Sequence, residues 1–126
     1  MSVLVDTSVW IDYFRGEGLS DTLDGLIDQN LAVTNDLILS ELLPFLYQQR
    51  QRKLAALLQE LQLQPMRIDW PQIIELQTVF LRNGINGVGI PDLMIAQNAM
   101  QGGLHLLSWD KHFSSMAKCI PLSLYE

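Results

Sequence analysis

Two kinds of apolar pattern alternate along this chain: short runs of branched aliphatics, and longer stripes at helical spacing. Val3-Leu4-Val5 has the length and branching of a buried parallel strand. Asp6 follows it, then two hydroxyls, Thr7 and Ser8. Ser8 to Phe14 reads as a short amphipathic helix ended by Gly16 and Gly18, with Thr7 or Ser8 placed to cap its first turn. Leu23, Leu26 and Ile27, behind Ser20, mark the next helix, and Leu31 to Thr34 a second strand after the turn residue Asn30.

Asn35 or Asp36 caps a helix whose stripe is Leu37, Ile38, Leu42, Phe45 and Leu46, with Pro44 inside it as an expected kink. The polar run Gln48 to Lys53 ends or bends that helix, and Leu54, Leu57, Leu58 and Leu61 form another. Gln64 to Ile68 is a weak third strand. Asp69-Trp70-Pro71 is a strong helix start, continued by Ile74, Leu76, Phe80 and Leu81 and stopped at Gly84. Asn83 to Gly89, with three glycines and two asparagines, is the most flexible-looking loop. Pro91-Asp92 opens a helix packed through Leu93, Ile95, Ala96, Ala99 and Met100, ended by Gly102 and Gly103. Leu104 to Leu107 is a strand, a short helical segment runs through Phe113 and Met116, and Ile120 to Leu124 is a last strand. Strand then helix, repeated about five times, predicts an α/β fold with a parallel sheet and helices on both faces.

At 126 residues and 48% hydrophobic content, the chain suits one domain with one core, residues 1–126. No apolar run is long enough to span a bilayer, and the first residues do not resemble a signal peptide. A single cysteine, Cys119, excludes an intramolecular disulfide framework, so a cytoplasmic protein is expected. A net charge of −6 counts against a dedicated DNA-binding module and suits a basic protein partner.

Carboxylates carry the candidate chemistry. Asp6 follows the first strand, Asp110 follows Leu104 to Leu107, and Asp92 opens the helix before that strand. If the two strands are neighbours, all three acids lie on the carboxyl edge of the sheet, where open α/β sheets bind ligands. Glu41, seven residues after the second strand, reaches the same edge and is an odd acid among Leu39, Leu42 and Leu43. Clustered carboxylates demand a counter-ion, and oxygen ligands suit Mg²⁺ or Mn²⁺, which can activate water against a phosphodiester. No histidine or cysteine pair competes for the nucleophile role. The plain structural alternative is that Asp92 and Asp110 serve as helix caps.

Val5-Asp6-Thr7-Ser8-Val9-Trp10-Ile11 with Phe14-Arg15-Gly16 resembles the opening of PIN-domain proteins, especially VapC-type ribonuclease toxins. Leu39-Ser40-Glu41-Leu42, Pro91-Asp92-Leu93-Met94-Ile95-Ala96 and Leu107-Ser108-Trp109-Asp110-Lys111-His112-Phe113 resemble the three later motifs, in order. The resemblance implies a PIN-like α/β/α sandwich with a central parallel five-stranded sheet of order 3-2-1-4-5. It implies a Mg²⁺- or Mn²⁺-dependent endoribonuclease, the toxin of a type II toxin–antitoxin system. Asp6, Glu41, Asp92 and Asp110 would form its catalytic and metal-binding set, with Thr7 or Ser8 positioning water, metal or phosphate; apart from the resemblance, Arg15 and His112 are further substrate-positioning candidates. It further implies RNA as substrate, a homodimer, and a cognate VapB-like antitoxin with a basic C-terminal segment.

The chain departs from the pattern at His112, where many relatives carry a second acid, and at Gln97 and Asn98, where small residues are common and packing is the expected role. His112 reads as a surface residue or one behind the ligands, and Trp109 as packing or as a platform for a base. Two other functions compete. One is a non-catalytic module on the same fold that docks a basic partner through its acids. The other is an aspartyl-nucleophile phosphatase, against which Ser8 stands where a second Asp is needed.

Overall fold

The computed structural model describes residues 1–16 and 20–126. The expected end of the first helix at Gly18 lies outside them. The central strand is β1 (Val3–Val5), whose three side chains are all fully buried. Successive side chains of a strand point to opposite faces, so both faces of the sheet are covered there. On one side β1 pairs in parallel with β2 (Ala32–Thr34), which pairs in parallel with β3 (Gln62–Leu63). On the other side it pairs in parallel with β4 (His105–Leu107). The order is therefore β3-β2-β1-β4.

The α/β class with a parallel sheet is as expected, but the sheet has four strands among the described residues, not five. The expected last strand, Ile120 to Leu124, is reduced to one parallel bridge between Leu124 and Leu106. The Leu106 N–H donates to Ser123 O and the Tyr125 N–H to Leu106 O, both at 2.9 Å, so the segment touches the β4 edge where a fifth strand would run. Pro121, which lacks a donor, stands at the start of this segment. The third strand lies earlier than expected. It ends at Leu63, and Pro65 cannot continue the ladder beyond the 2.9 Å bond from the Gln64 N–H to Thr34 O.

Helices supply the crossovers. Between β1 and β2 run α1 (Thr7–Phe14) and α2 (Ser20–Asp28). Between β2 and β3 run α3 (Asp36–Gln48) and α4 (Arg52–Glu60), and between β3 and β4 run α5 (Trp70–Arg82) and α6 (Ile90–Gln101). The last helix is α7 (Lys111–Ala117). The Asn35 side chain caps α3 by accepting the Ile38 N–H at 2.8 Å, and Asp69 caps α5 by accepting the Gln72 N–H at 3.2 Å. α3 stays helical through Pro44 and ends at Gln48, where Arg50 takes a left-handed φ of 56° and the Gln51 N–H closes on Leu46 O at 2.8 Å. In the glycine loop Val88 is buried and its carbonyl accepts from Gln77 Nε2 at 3.1 Å.

The core is continuous from the strands to the helices, with Trp10, Phe80 and Phe113 its largest fully buried side chains. Gln97 and Asn98 do more than pack. Both are buried, and Asn98 accepts from Asn35 Nδ2 at 2.9 Å and donates to Pro65 O at 3.1 Å. Gln97 exchanges bonds of 3.2 and 3.1 Å with the Asp69 backbone. These amides hold α6, and with it Asp92, against the β2–α3 corner and the start of α5. No described helix is long and apolar enough to cross a membrane.

Candidate active site

Parallel pairing puts the carboxyl ends of all four strands on one edge. The chain winds away from β1 in one direction through β2 and β3, then returns on the opposite side as β4, so the order reverses between β1 and β4. Such a reversal opens a crevice at the strand ends. Val5 pairs with Leu107 across it, so the next residues, Asp6 and Ser108, leave the sheet side by side.

The hydroxyls expected as helix caps have other partners. Asp6 occupies the cap position of α1, but its side chain bonds no helix N–H. Its Oδ2 accepts from Ser8 Oγ at 2.9 Å and from Ser108 Oγ at 2.8 Å. Each serine also accepts a backbone N–H, Ser8 from Trp109 at 3.1 Å and Ser108 from Asp110 at 3.0 Å. The two hydroxyls therefore orient the buried Asp6 carboxylate and fasten the loop carrying Asp110 to it. Thr7 Oγ1 donates to Glu41 Oε1 at 2.9 Å, linking α1 to α3. Glu41 is exposed, so it is no core acid.

Asp92 is the third residue of α6, whose cap position is Gly89, and makes no cap bond. Its carboxyl is raised above the ordinary value, first by burial and then by the charges of Asp110 and Asp6, with a smaller push from Glu41 and an opposing one from His112. All four acids thus share one electrostatic neighbourhood. Asp110 does cap α7: its Oδ1 accepts the His112 N–H at 2.9 Å, leaving the second oxygen free of protein donors among the described residues.

Among the described residues, no Lys or Arg pairs with any of these carboxylates within 4.0 Å. The cation-capable neighbour is His112, whose Nδ1 lies 3.4 Å from Asp110 Oδ1 and 3.9 Å from Asp92 Oδ2. Asp92, Asp110 and His112 each offer a ligating atom within 4.8 Å of the others. Asp6 and Glu41 stand outside this tightest grouping. A set of carboxylates with free oxygens and no neutralising Lys or Arg suits a divalent cation.

Arg15 is exposed beside the acids: it lines a groove with Thr7, Ile11, Glu41, Leu42 and Phe45. Trp109, between Ser108 and Asp110, is 39% exposed. Trp10 is core, while Cys119 lies half-buried after α7. The Ser108 role was missed by sequence reasoning; its position two residues before Asp110, opposite Asp6 in the register, is the signal that marks it.

The PIN domain family model matches residues 3–118. No curated protein sequence matches the chain. Among solved structures, VapBC2 from Rickettsia felis bound to a promoter DNA fragment is similar at TM-score 0.77 and 21% identity, covering 99% of this chain and 98% of that one. DNA-bound VapBC from Salmonella typhimurium gives TM-score 0.77 at 14% identity, over 99% and 97%. The sarcin-ricin loop cleaving toxin VapC20 from Mycobacterium tuberculosis gives TM-score 0.64 at 16% identity, over 97% and 99%. At these identities the likeness is one of fold.

Proposed function

The chain belongs to the PIN domain family, and on that premise we propose that it is a metal-dependent endoribonuclease, the toxin of a type II toxin–antitoxin pair. The observation that carries this reading is the shared electrostatic neighbourhood of Asp6, Glu41, Asp92 and Asp110, with no Lys or Arg ion pair among the described residues. The fold likeness to VapBC proteins and to a sarcin-ricin loop cleaving toxin supports it.

In this reading Asp6, Asp92 and Asp110 hold Mg²⁺ or Mn²⁺, with Glu41 facing the same crevice. The chemistry such an ion supplies when bound is activation of water and offset of charge at the phosphodiester. The protein's own part is orientation. Ser8 and Ser108 fix one oxygen of Asp6 and leave the other free of protein donors among the described residues. Thr7 fixes one oxygen of Glu41, and the second is available to accept a proton from water. Asp110 Oδ1 accepts the α7 cap bond and also stands 3.4 Å from His112 Nδ1, so this carboxylate serves the cap and the crevice together. Arg15, on the groove that leaves the site past Glu41, is placed to meet an RNA phosphate.

That groove has an apolar floor from Ile11, Leu42 and Phe45 and continues past Phe14 and Leu46 to Leu54 on α4. It suits a partner segment with apolar anchors, and the chain's net charge of −6 suits a basic one, as an antitoxin tail would be. Trp70, Ile74 and Leu81 are exposed on one face of α5, which supports a homodimer. A cytoplasmic location accompanies this function.

The test is RNA cleavage by purified, antitoxin-free protein. Cleavage should require added Mg²⁺ or Mn²⁺ and stop in EDTA. Cleavage that persists in EDTA, or hydrolysis of small phosphoesters in place of RNA, would sink the proposal.

A further inference from the structure

His112 enters the crevice from the first turn of α7, two residues after Asp110. Its Nδ1 is buried and has no hydrogen-bond partner, although carboxylate oxygens of Asp110 and Asp92 stand 3.4 and 3.9 Å away. Neither approach has the geometry of a hydrogen bond. The opposite nitrogen, Nε2, faces the glycine loop, where a Cβ built on Gly87 would lie 3.8 Å from it. One ring nitrogen is thus directed between two carboxylates without bonding either.

Oxygen and nitrogen donors around one six-coordinate ion, each about 2.1 Å from it, stand roughly 3–4 Å from one another. His112 Nδ1 has this spacing to both carboxylates, and ligating atoms of Asp92, Asp110 and His112 all lie within 4.8 Å of one another. Imidazole is a borderline donor. It adds little to a Mg²⁺ site and much to a site for Mn²⁺ or later first-row metals, along the rising order of affinity from Mn²⁺.

We infer that His112 is a nitrogen ligand of the crevice metal and biases the site toward Mn²⁺ and later transition ions over Mg²⁺. This rests on the metal-nuclease reading above. His112 therefore does more than sit behind the ligands: it replaces an acid with a neutral donor and lowers the negative charge the crevice must offset.

The experiment is pulsed electron paramagnetic resonance of the Mn²⁺-loaded protein, paired with calorimetric titration of Mn²⁺ and of Mg²⁺. Wild type should show coupling to a directly coordinated imidazole ¹⁴N, and His112→Gln should lose it. His112→Gln should also weaken Mn²⁺ binding by at least about tenfold, while His112→Asp should narrow the preference for Mn²⁺ over Mg²⁺. Circular dichroism confirms that both variants are folded. Mn²⁺ binding with no ¹⁴N coupling in wild type overturns this inference and leaves the nuclease reading standing. No Mn²⁺ binding at all in folded wild type overturns both.

Discussion

The Ser108 hydroxyl donates to the Asp6 carboxylate at 2.8 Å across 102 positions of sequence. The same oxygen accepts the Asp110 N–H at 3.0 Å. One hydroxyl thereby sets the spacing between a strand-end acid on β1 and a helix-capping acid after β4.

Removing it should loosen both acids. Ser108→Ala should cost about 1 kcal/mol of stability, the net worth of an ordinary hydrogen bond. Its larger effect should fall on metal affinity, a loss of about 10–100-fold, because a residue that orients a ligand is replaced. Denaturant unfolding and Mn²⁺ calorimetry measure the two separately. Metal affinity unchanged from wild type would show that Ser108 serves only the fold.

Asp92 should trade stability against binding. Burial and neighbouring acids raise its pKa above the ordinary 3.8. Its favourable contribution to folding is then fully present below the unfolded value and is lost as pH rises through the folded one. Without metal, the ionised form of Asp92 is the one that burial and the neighbouring acids disfavour in the folded chain. Asp92→Asn should therefore raise the Tm in EDTA at pH 7 by roughly 2–5 °C, while weakening Mn²⁺ binding. A lower Tm in EDTA would mean that the acids are not mutually repulsive in the folded chain.

Asn98 tests the support of α6. Asn98→Leu leaves Asn35 Nδ2 and Pro65 O without their bonds inside the protein. Asn35 is buried, so orphaning its amide costs about 1–3 kcal/mol, whereas the carbonyl of the exposed Pro65 can bond water. Chemical denaturation should show a loss of roughly 1–3 kcal/mol, and a loss below about 0.5 kcal/mol would place Asn98 among residues that simply pack.

Trp109 precedes Asp110 in the chain and is exposed, which leaves its ring open to stack on an RNA base. Trp109→Ala should raise the KM for RNA, by a factor corresponding to about 1–3 kcal/mol, with little change in Tm. An unchanged KM would remove it from the substrate surface.

Much of this architecture was legible in the sequence, for identifiable reasons. Val3 to Val5, Leu31 to Thr34 and Leu104 to Leu107 are short aliphatic runs, and each holds a strand. Asn35 and Asp69 are local caps, readable from their own neighbourhoods. The third and last strands were misjudged where proline removes ladder donors, at Pro65 and Pro121. Thr7 and Ser8 look like caps locally but bond carboxylates, and the bonds from Thr7 to Glu41 and from Ser108 to Asp6 span 34 and 102 positions. Pairings of that range are set by strand register, which no local pattern encodes. The same holds for Gln97 and Asn98, whose partners lie on α5 and at the ends of β2 and β3. Glu41 looked anomalous among leucines because its neighbours alternate around the helix; it faces outward.

The central claim is that Asp6, held by two serines at the strand crossover, is indispensable to metal-dependent RNA cleavage. The most direct measurement compares RNA cleavage by purified wild type and Asp6→Asn in saturating Mn²⁺, with folding of both checked by circular dichroism. The expected result is cleavage by wild type and a loss of at least about a thousandfold in the folded variant, within the span of catalytic effects that electrostatic stabilisation supplies. Equal cleavage by the two would contradict the account and assign the activity to a contaminant.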